Sequence, residues 1–138
     1  MRRSAAIQFG ALCIASLLAV APVVAQVPAT VGPAPDIKAM LLGTSTWRAD
    51  WKGTSPSNVF ESGITEIMFE ARGDKVVATL RNITFSQSCE RDVTMTTGVV
   101  KFDGCNVKDV TLRFDPNDRE YPFKGKSAAN YDWTLKRK

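Results

Sequence analysis

The chain contains no histidine. That removes the commonest general base and the commonest zinc ligand from any account of its chemistry. Cysteine is sparse: there are three, and Cys13 sits inside an N-terminal apolar run, which leaves Cys89 and Cys105. Neither belongs to a Cys-x-x-Cys spacing, so redox exchange is not indicated. There is no glycine-rich phosphate loop, no Walker-type sequence and no Gly-x-Ser-x-Gly elbow. Asp103, Asp109, Asp115 and Asp118 do not follow the spacing of an EF-hand, and turn chemistry accounts for them. Beyond the N-terminus no periodic segment is long enough to serve as the crossover that parallel strands require. No metal, cofactor or enzymatic activity is expected. Glu66 and Glu70 could share one strand face, where they read as solvating groups rather than as an acid–base pair.

Charge is also in short supply. Eighteen basic residues face 14 acidic ones, a net charge of +4, and without Arg2 and Arg3 the balance is +2. A charge this small, spread along the chain, does not indicate nucleic acid. Lys136-Arg137-Lys138 is the one basic cluster. Such a tail is ordinarily solvated, or it touches anionic glycans or lipid head groups.

What is present begins with Arg2 and Arg3, followed by an apolar stretch from Ile7 to Val20 and small residues up to Ala25. That order is expected of a secretory signal peptide over residues 1–25. The apolar core is short for a membrane span, and no transmembrane segment is expected after cleavage. Cys13 lacks the position and small-residue box of a lipidated cysteine. Residues 26–35, with three prolines, read as an extended leader, and 36–138 as one domain. Export makes a Cys89–Cys105 disulfide the default. A loop of that length is stabilised by roughly 3 kcal/mol in the chain-entropy model. The bridge is expected to be structural and to staple two neighbouring strands.

The domain is organised around Thr46-Trp47-Arg48-Ala49-Asp50-Trp51-Lys52-Gly53. Trp47, Ala49 and Trp51 alternate with Arg48, Asp50 and Lys52, which predicts a strand with one buried face. Asp36 caps a short helix over 37–42 with Gly43 as its stop, and Ile37, Met40 and Leu41 share a face. Residues 64–71 and 76–83 predict a hairpin turning at Arg72-Gly73-Asp74-Lys75. Ile67, Phe69, Ala71, Val76, Ala78 and Leu80 are expected to face inward. Residues 85–91 read as a polar connection. Strands follow around Val93 and Met95, at 99–102, and around Val110, Leu112 and Phe114. Asp115-Pro116-Asn117-Asp118 is a turn. Pro122 demotes the stretch around Phe123 to an edge or bend, 124–130 reads as a loop, and Tyr131, Trp133 and Leu135 close the chain with a last strand.

About eight short antiparallel strands suit an all-β fold, either an up-and-down barrel or a two-sheet sandwich. The aromatic faces of the first and last strands favour a barrel closed by their pairing. A short helix followed by Leu42-Gly43-Thr44-Ser45-Thr46-Trp47 resembles the opening of calycin barrels, the group of lipocalins and avidins. The resemblance implies a small-ligand binding barrel in which a basic residue after the last strand, Lys136 or Arg137, packs over Trp47. Gly43 stands four residues before Trp47, where the lipocalin pattern has two.

Trp47, Trp51, Tyr131 and Trp133 are the candidate ligand-binding residues. Each offers a flat apolar face with one polar handle, suited to a small hydrophobic or amphipathic ligand. The commoner use of such faces is to fill a barrel with side chains. The other functional reading is an interaction protein of the envelope or extracellular space. It would meet a host or envelope protein, or a polysaccharide, through 53–58, 124–130 and the basic tail. Asn82-Ile83-Thr84 is a glycosylation sequon in a host that glycosylates it.

Overall fold

The alternation of apolar residues around Trp47 becomes strand β1, Trp47–Gly53, and the chain then turns back on itself seven times. The strands are β2 (Ser62–Arg72), β3 (Lys75–Asn82), β4 (Gln87–Thr96), β5 (Val99–Phe102), β6 (Val110–Phe114), β7 (Phe123–Ser127) and β8 (Tyr131–Arg137). Every sequential neighbour pairs antiparallel, and β1 pairs with β8, so the sheet closes into an eight-stranded up-and-down barrel. The computed structural model describes residues 35–138. The expected signal peptide, 1–25, and all but the last residue of the expected leader lie outside the described residues.

A closed sheet has no free edge, and the seam is made by the two aromatic strands: Trp51 is opposite Trp133 and Trp47 is opposite Arg137. The β2–β3 hairpin has the two-residue turn Gly73-Asp74, with Gly73 at φ 64°, a conformation open to glycine at no steric cost. Its inward residues are Thr65, Ile67 and Phe69 on β2, and Val76, Ala78, Leu80 and Asn82 on β3. Ala71 is exposed, because it lies at the tip of the hairpin beyond the barrel wall.

Helix α1, Ile37–Leu42, starts as the sequence predicts. The Asp36 side chain accepts from the Ala39 N–H at 3.1 Å, and the Gly43 N–H donates to the Ala39 carbonyl at 2.8 Å. A helix of six residues has no stability of its own, and it is held by burying Ile37 and Leu41 in the barrel core. It lies at the end where β1 begins. There Trp47 is fully buried, donates through Nε1 to the Leu41 carbonyl at 3.2 Å, and meets Phe123 edge-on at 5.5 Å. Ile67, Val100, Leu112 and Leu135 fill the adjoining layers.

Two segments expected to be loops are strands. Residues 87–91 belong to β4, whose inward side carries Gln87, Cys89 and Arg91 before Val93 and Met95. The polar inward residues hide the strand period. Residues 124–127 belong to β7, a strand with partners on both sides and not an edge, with Pro122 just before it. Its inward side carries Gly125 and Ser127, where a strand would ordinarily show apolar residues. Gly125 is the register partner of Trp133, and the Trp133 indole donates to Ser127 Oγ at 3.0 Å. A Cβ at Gly125 would stand 1.7 Å from the Thr111 carbonyl oxygen, so glycine there answers the close approach of the β6 backbone.

Candidate functional site

The barrel is filled at the α1 end and open at the other. A cavity of about 530 Å³ occupies the open half. Trp51, Tyr131 and Trp133 form one wall, brought together by the β1–β8 register, in which Trp51 faces Trp133 and Gly53 faces Tyr131. An aromatic ladder runs outward from this wall. Tyr131 meets Trp51 edge-on at 5.5 Å, Trp51 stacks on Phe85 at 6.0 Å, and Phe85 meets Phe60 at 4.4 Å. Leu80, Val59 and Val107 extend the apolar lining.

Trp47, the fourth expected ligand residue, is not part of this wall. It lies four residues along β1 from Trp51, roughly 13 Å at the rise of a strand, on the far side of the packed layers. It serves as the core of the closed end, where the Arg137 guanidinium sits 5.8 Å from its ring. Of the two basic residues expected over Trp47, Arg137 takes the place. Lys136 instead lies over the Tyr121 ring at 5.3 Å. Lys138 pairs with Glu66, holding that carboxylate below its usual range, and its backbone N–H donates to Thr46. The expected solvated basic tail is thus pinned to the barrel wall through each of its three cations. Glu70, expected on the outer face with Glu66, is there and pairs with Arg72.

The rim is braced. Thr54 donates to the Asn130 carbonyl through both its N–H and its hydroxyl, each at 2.8 Å, and Asn58 Nδ2 donates to the Ala129 carbonyl at 2.6 Å. These bonds lock the β1–β2 loop to the β7–β8 loop. The third rim loop, 103–109, lies against the upper half of β4. Strand β5 reaches only as far as Thr94 of β4, so Gln87–Asp92 has a strand partner on the β3 side alone. The loop takes the missing place. Cys105 is disulfide-bonded to Cys89, Arg91 Nε donates to the Gly104 carbonyl at 3.4 Å, and Asn106 Nδ2 donates to Gln87 Oε1. The bridge therefore ties a strand to a mouth loop, where two neighbouring strands were expected. Loop 103–109 departs from the β5 line at Asp103-Gly104, before Cys105 is reached.

Polar groups inside the cavity are few. Thr65, Asn82, Gln87 and Asn106 line it, together with the handles of the aromatic rings. Among the described residues no aspartate, glutamate, lysine or arginine lines it. Thr65, Asn82 and Gln87 escape sequence reading because an inward polar residue breaks the alternation that reveals an inward face. Phe60 and Phe85 carry a readable signal, since each is a lone aromatic in an otherwise polar connection. Asn82 also heads the sequon, and it is 8% exposed and turned into the barrel.

A second, shallower concavity of about 400 Å³ lies on the outer wall between Arg48, Asp50, Asp118, Tyr121, Lys124 and Lys136. Four of its five charges compensate one another: Arg48 pairs with Asp50 at 2.8 Å and Lys124 with Asp118 at 2.5 Å, while Lys136 lies against Tyr121. Hydrogen bonding to Lys124 holds the Asp118 carboxyl below its usual range. Among the described residues there is no cluster of three or more metal-ligating side chains, and no helix is long and apolar enough to cross a membrane. No family model, no curated protein and no solved structure matches this chain.

Proposed function

We propose that this protein is an exported, non-enzymatic binding barrel that holds a small hydrophobic or amphipathic molecule in its open half. The observation that carries the reading is the 530 Å³ cavity walled by Trp51, Tyr131 and Trp133. Its volume falls within the range of small-molecule sites, roughly 300–1,000 Å³, and its lining is mainly aromatic and aliphatic with a few polar groups. Rim loops already tied by hydrogen bonds and a disulfide reduce the ordering cost of binding. Likeness to calycin barrels supports the same reading. The barrel is up-and-down with eight strands, a short helix sits at the filled end, and a tryptophan opens β1 under a guanidinium. The disulfide fits an oxidising compartment and hence export.

The test is a titration of the mature protein with N-phenyl-1-naphthylamine, beside native mass spectrometry of protein purified from its own compartment. Saturable 1:1 binding that is lost in Trp51→Ala and kept in Trp47→Phe is the expected result. Absence of saturable binding, and of any co-purifying small molecule, overturns the reading.

A second reading draws on the rim itself. Val59 is 84% exposed, and Phe60 and Ile83 are also exposed, all on loops at the open end. Apolar loop tips of this kind suit contact with another protein. Capture of a partner that is lost in Val59→Ser/Ile83→Ser and insensitive to naphthylamine would favour an interaction protein.

A further inference from the structure

The two buried polar side chains among the described residues are Thr65, 2% exposed, and Asn82, 8% exposed. They are register partners across β2 and β3, and both line the cavity. Directly opposed residues on one face of an antiparallel pair have their Cβ atoms about 4.5–5.5 Å apart, close enough for both to reach one ligand atom.

The hydrogen-bond partners fix what each side chain has left to offer. Asn82 Oδ1 accepts from the Phe85 N–H at 3.1 Å, which orients the amide and leaves Nδ2 as a donor. Among the described residues that Nδ2 has no partner, yet none of their buried side-chain nitrogens or oxygens is both sealed from solvent and unpartnered. The Nδ2 therefore opens on the cavity. Thr65 Oγ1 accepts from Trp51 Nε1 at 3.3 Å, which engages one of its two lone pairs and leaves its hydroxyl hydrogen free to donate. Both members of the pair present donors.

Among the described residues none that lines the cavity supplies a cation. Arg91, on the inward side of β4, is committed to the Gly104 and Glu90 carbonyls and is not part of the lining. Arg137 is at the filled end over Trp47. Two neutral donors compensate a neutral acceptor well, but they do not offset the desolvation of a buried carboxylate.

We propose that the Thr65–Asn82 pair is the polar anchor of the cavity, and that it selects neutral apolar molecules carrying a carbonyl oxygen over hydrocarbons and over carboxylates. This rests on the proposed binding function and names the class of ligand for the same cavity.

The test compares three probes of one shape by isothermal titration calorimetry: 2-acetylnaphthalene, 2-ethylnaphthalene and 2-naphthoate. The expected result is that the ketone binds about tenfold tighter than the hydrocarbon, the loss typical of one or two unmet hydrogen bonds, and tighter than the carboxylate. In Asn82→Leu the ketone falls to the affinity of the hydrocarbon, whose own affinity is unchanged. Asn82→Leu also removes the acceptor for the Phe85 N–H, so Asn82→Asp is the second variant. It keeps that acceptor, loses the donor and is expected to lose the ketone preference equally. Thr65→Ser is expected to retain the preference. Equal binding of the three probes, a preference for the carboxylate, or a ketone preference that survives in both Asn82 variants overturns the proposal while leaving a binding cavity in place. Failure of all three probes to bind overturns both.

Discussion

Trp47 and Trp51 stand two turns of the pleat apart on one face of β1, and a substitution should separate their roles. Trp47 is buried against Phe123, the Leu41 carbonyl and Arg137. Trp47→Ala is expected to lower the unfolding free energy by about 3–5 kcal/mol, the range for deleting a large buried aromatic. Trp47→Phe is expected to cost less and to leave naphthylamine binding unchanged, as denaturant titration and fluorescence would show. Trp51 is held differently. A Cβ built on Gly63, its partner on β2, would stand 1.9 Å from Trp51 Cζ2, so the indole lies directly on the glycine backbone. Gly63→Ala is expected to push that ring toward the cavity, cut naphthylamine affinity and cost about 1–3 kcal/mol from overpacking. Unchanged affinity in a folded Gly63→Ala variant would mean that Trp51 does not shape the site. Trp51, Tyr131 and Trp133 were legible from alternation alone. Thr65 and Asn82 were not, because residue type argues for the surface and only the barrel's closure places them inside.

At the scale of elements, the helix, the β2–β3 hairpin and the first and last strands were legible because their inward positions are apolar. Residues 87–91 of β4 and 124–127 of β7 were not, although the part of β4 around Val93 and Met95 was. The inward Gln87 and Arg91 serve the mouth loop, the inward Gly125 lets the β6 backbone approach closely, and Ser127 accepts from the Trp133 indole. Both departures from the simple period therefore occur where a strand contributes to the open half. The disulfide belongs to the same scale. It closes a sequence separation of 16 residues and holds loop 103–109 in the gap beside β4. Its loss in Cys89→Ser/Cys105→Ser is expected to lower stability by about 3 kcal/mol. Hydrogen–deuterium exchange should quicken in 103–109 well before the β2–β3 hairpin, which is paired from Thr65–Asn82 to Arg72–Lys75. Uniform acceleration across the barrel would show the bridge to be a global staple instead of a clamp on the mouth.

The whole molecule separates its charges from its cavity, and this sets how it should respond to pH. On the outer wall Glu66, Glu90 and Asp118 are held below their usual values, chiefly by hydrogen bonds from Lys138, Arg72 and Lys124 respectively. A carboxylate whose pKa is depressed on folding stabilises the native state above its unfolded pKa, and that contribution is lost as pH falls through the folded value. The chain has no histidine to titrate near neutrality. The melting temperature is therefore expected to be flat from about pH 6 to 8 and to fall below about pH 4, where ordinary carboxylates protonate. These pairs are exposed, so added salt should shrink the acid-dependent part. Among the described residues no carboxylate, amine or guanidinium lines the cavity, so affinity for a neutral probe should not follow that curve. Naphthylamine titrations at about pH 5, 6.5 and 8 are expected to agree within about twofold while the protein remains folded. A change of about tenfold across that window would place an ionised group against the ligand. Because the outer ion pairs face away from the barrel interior, such a result would move the binding site out of the open half and onto the charged wall around Arg48 and Lys124.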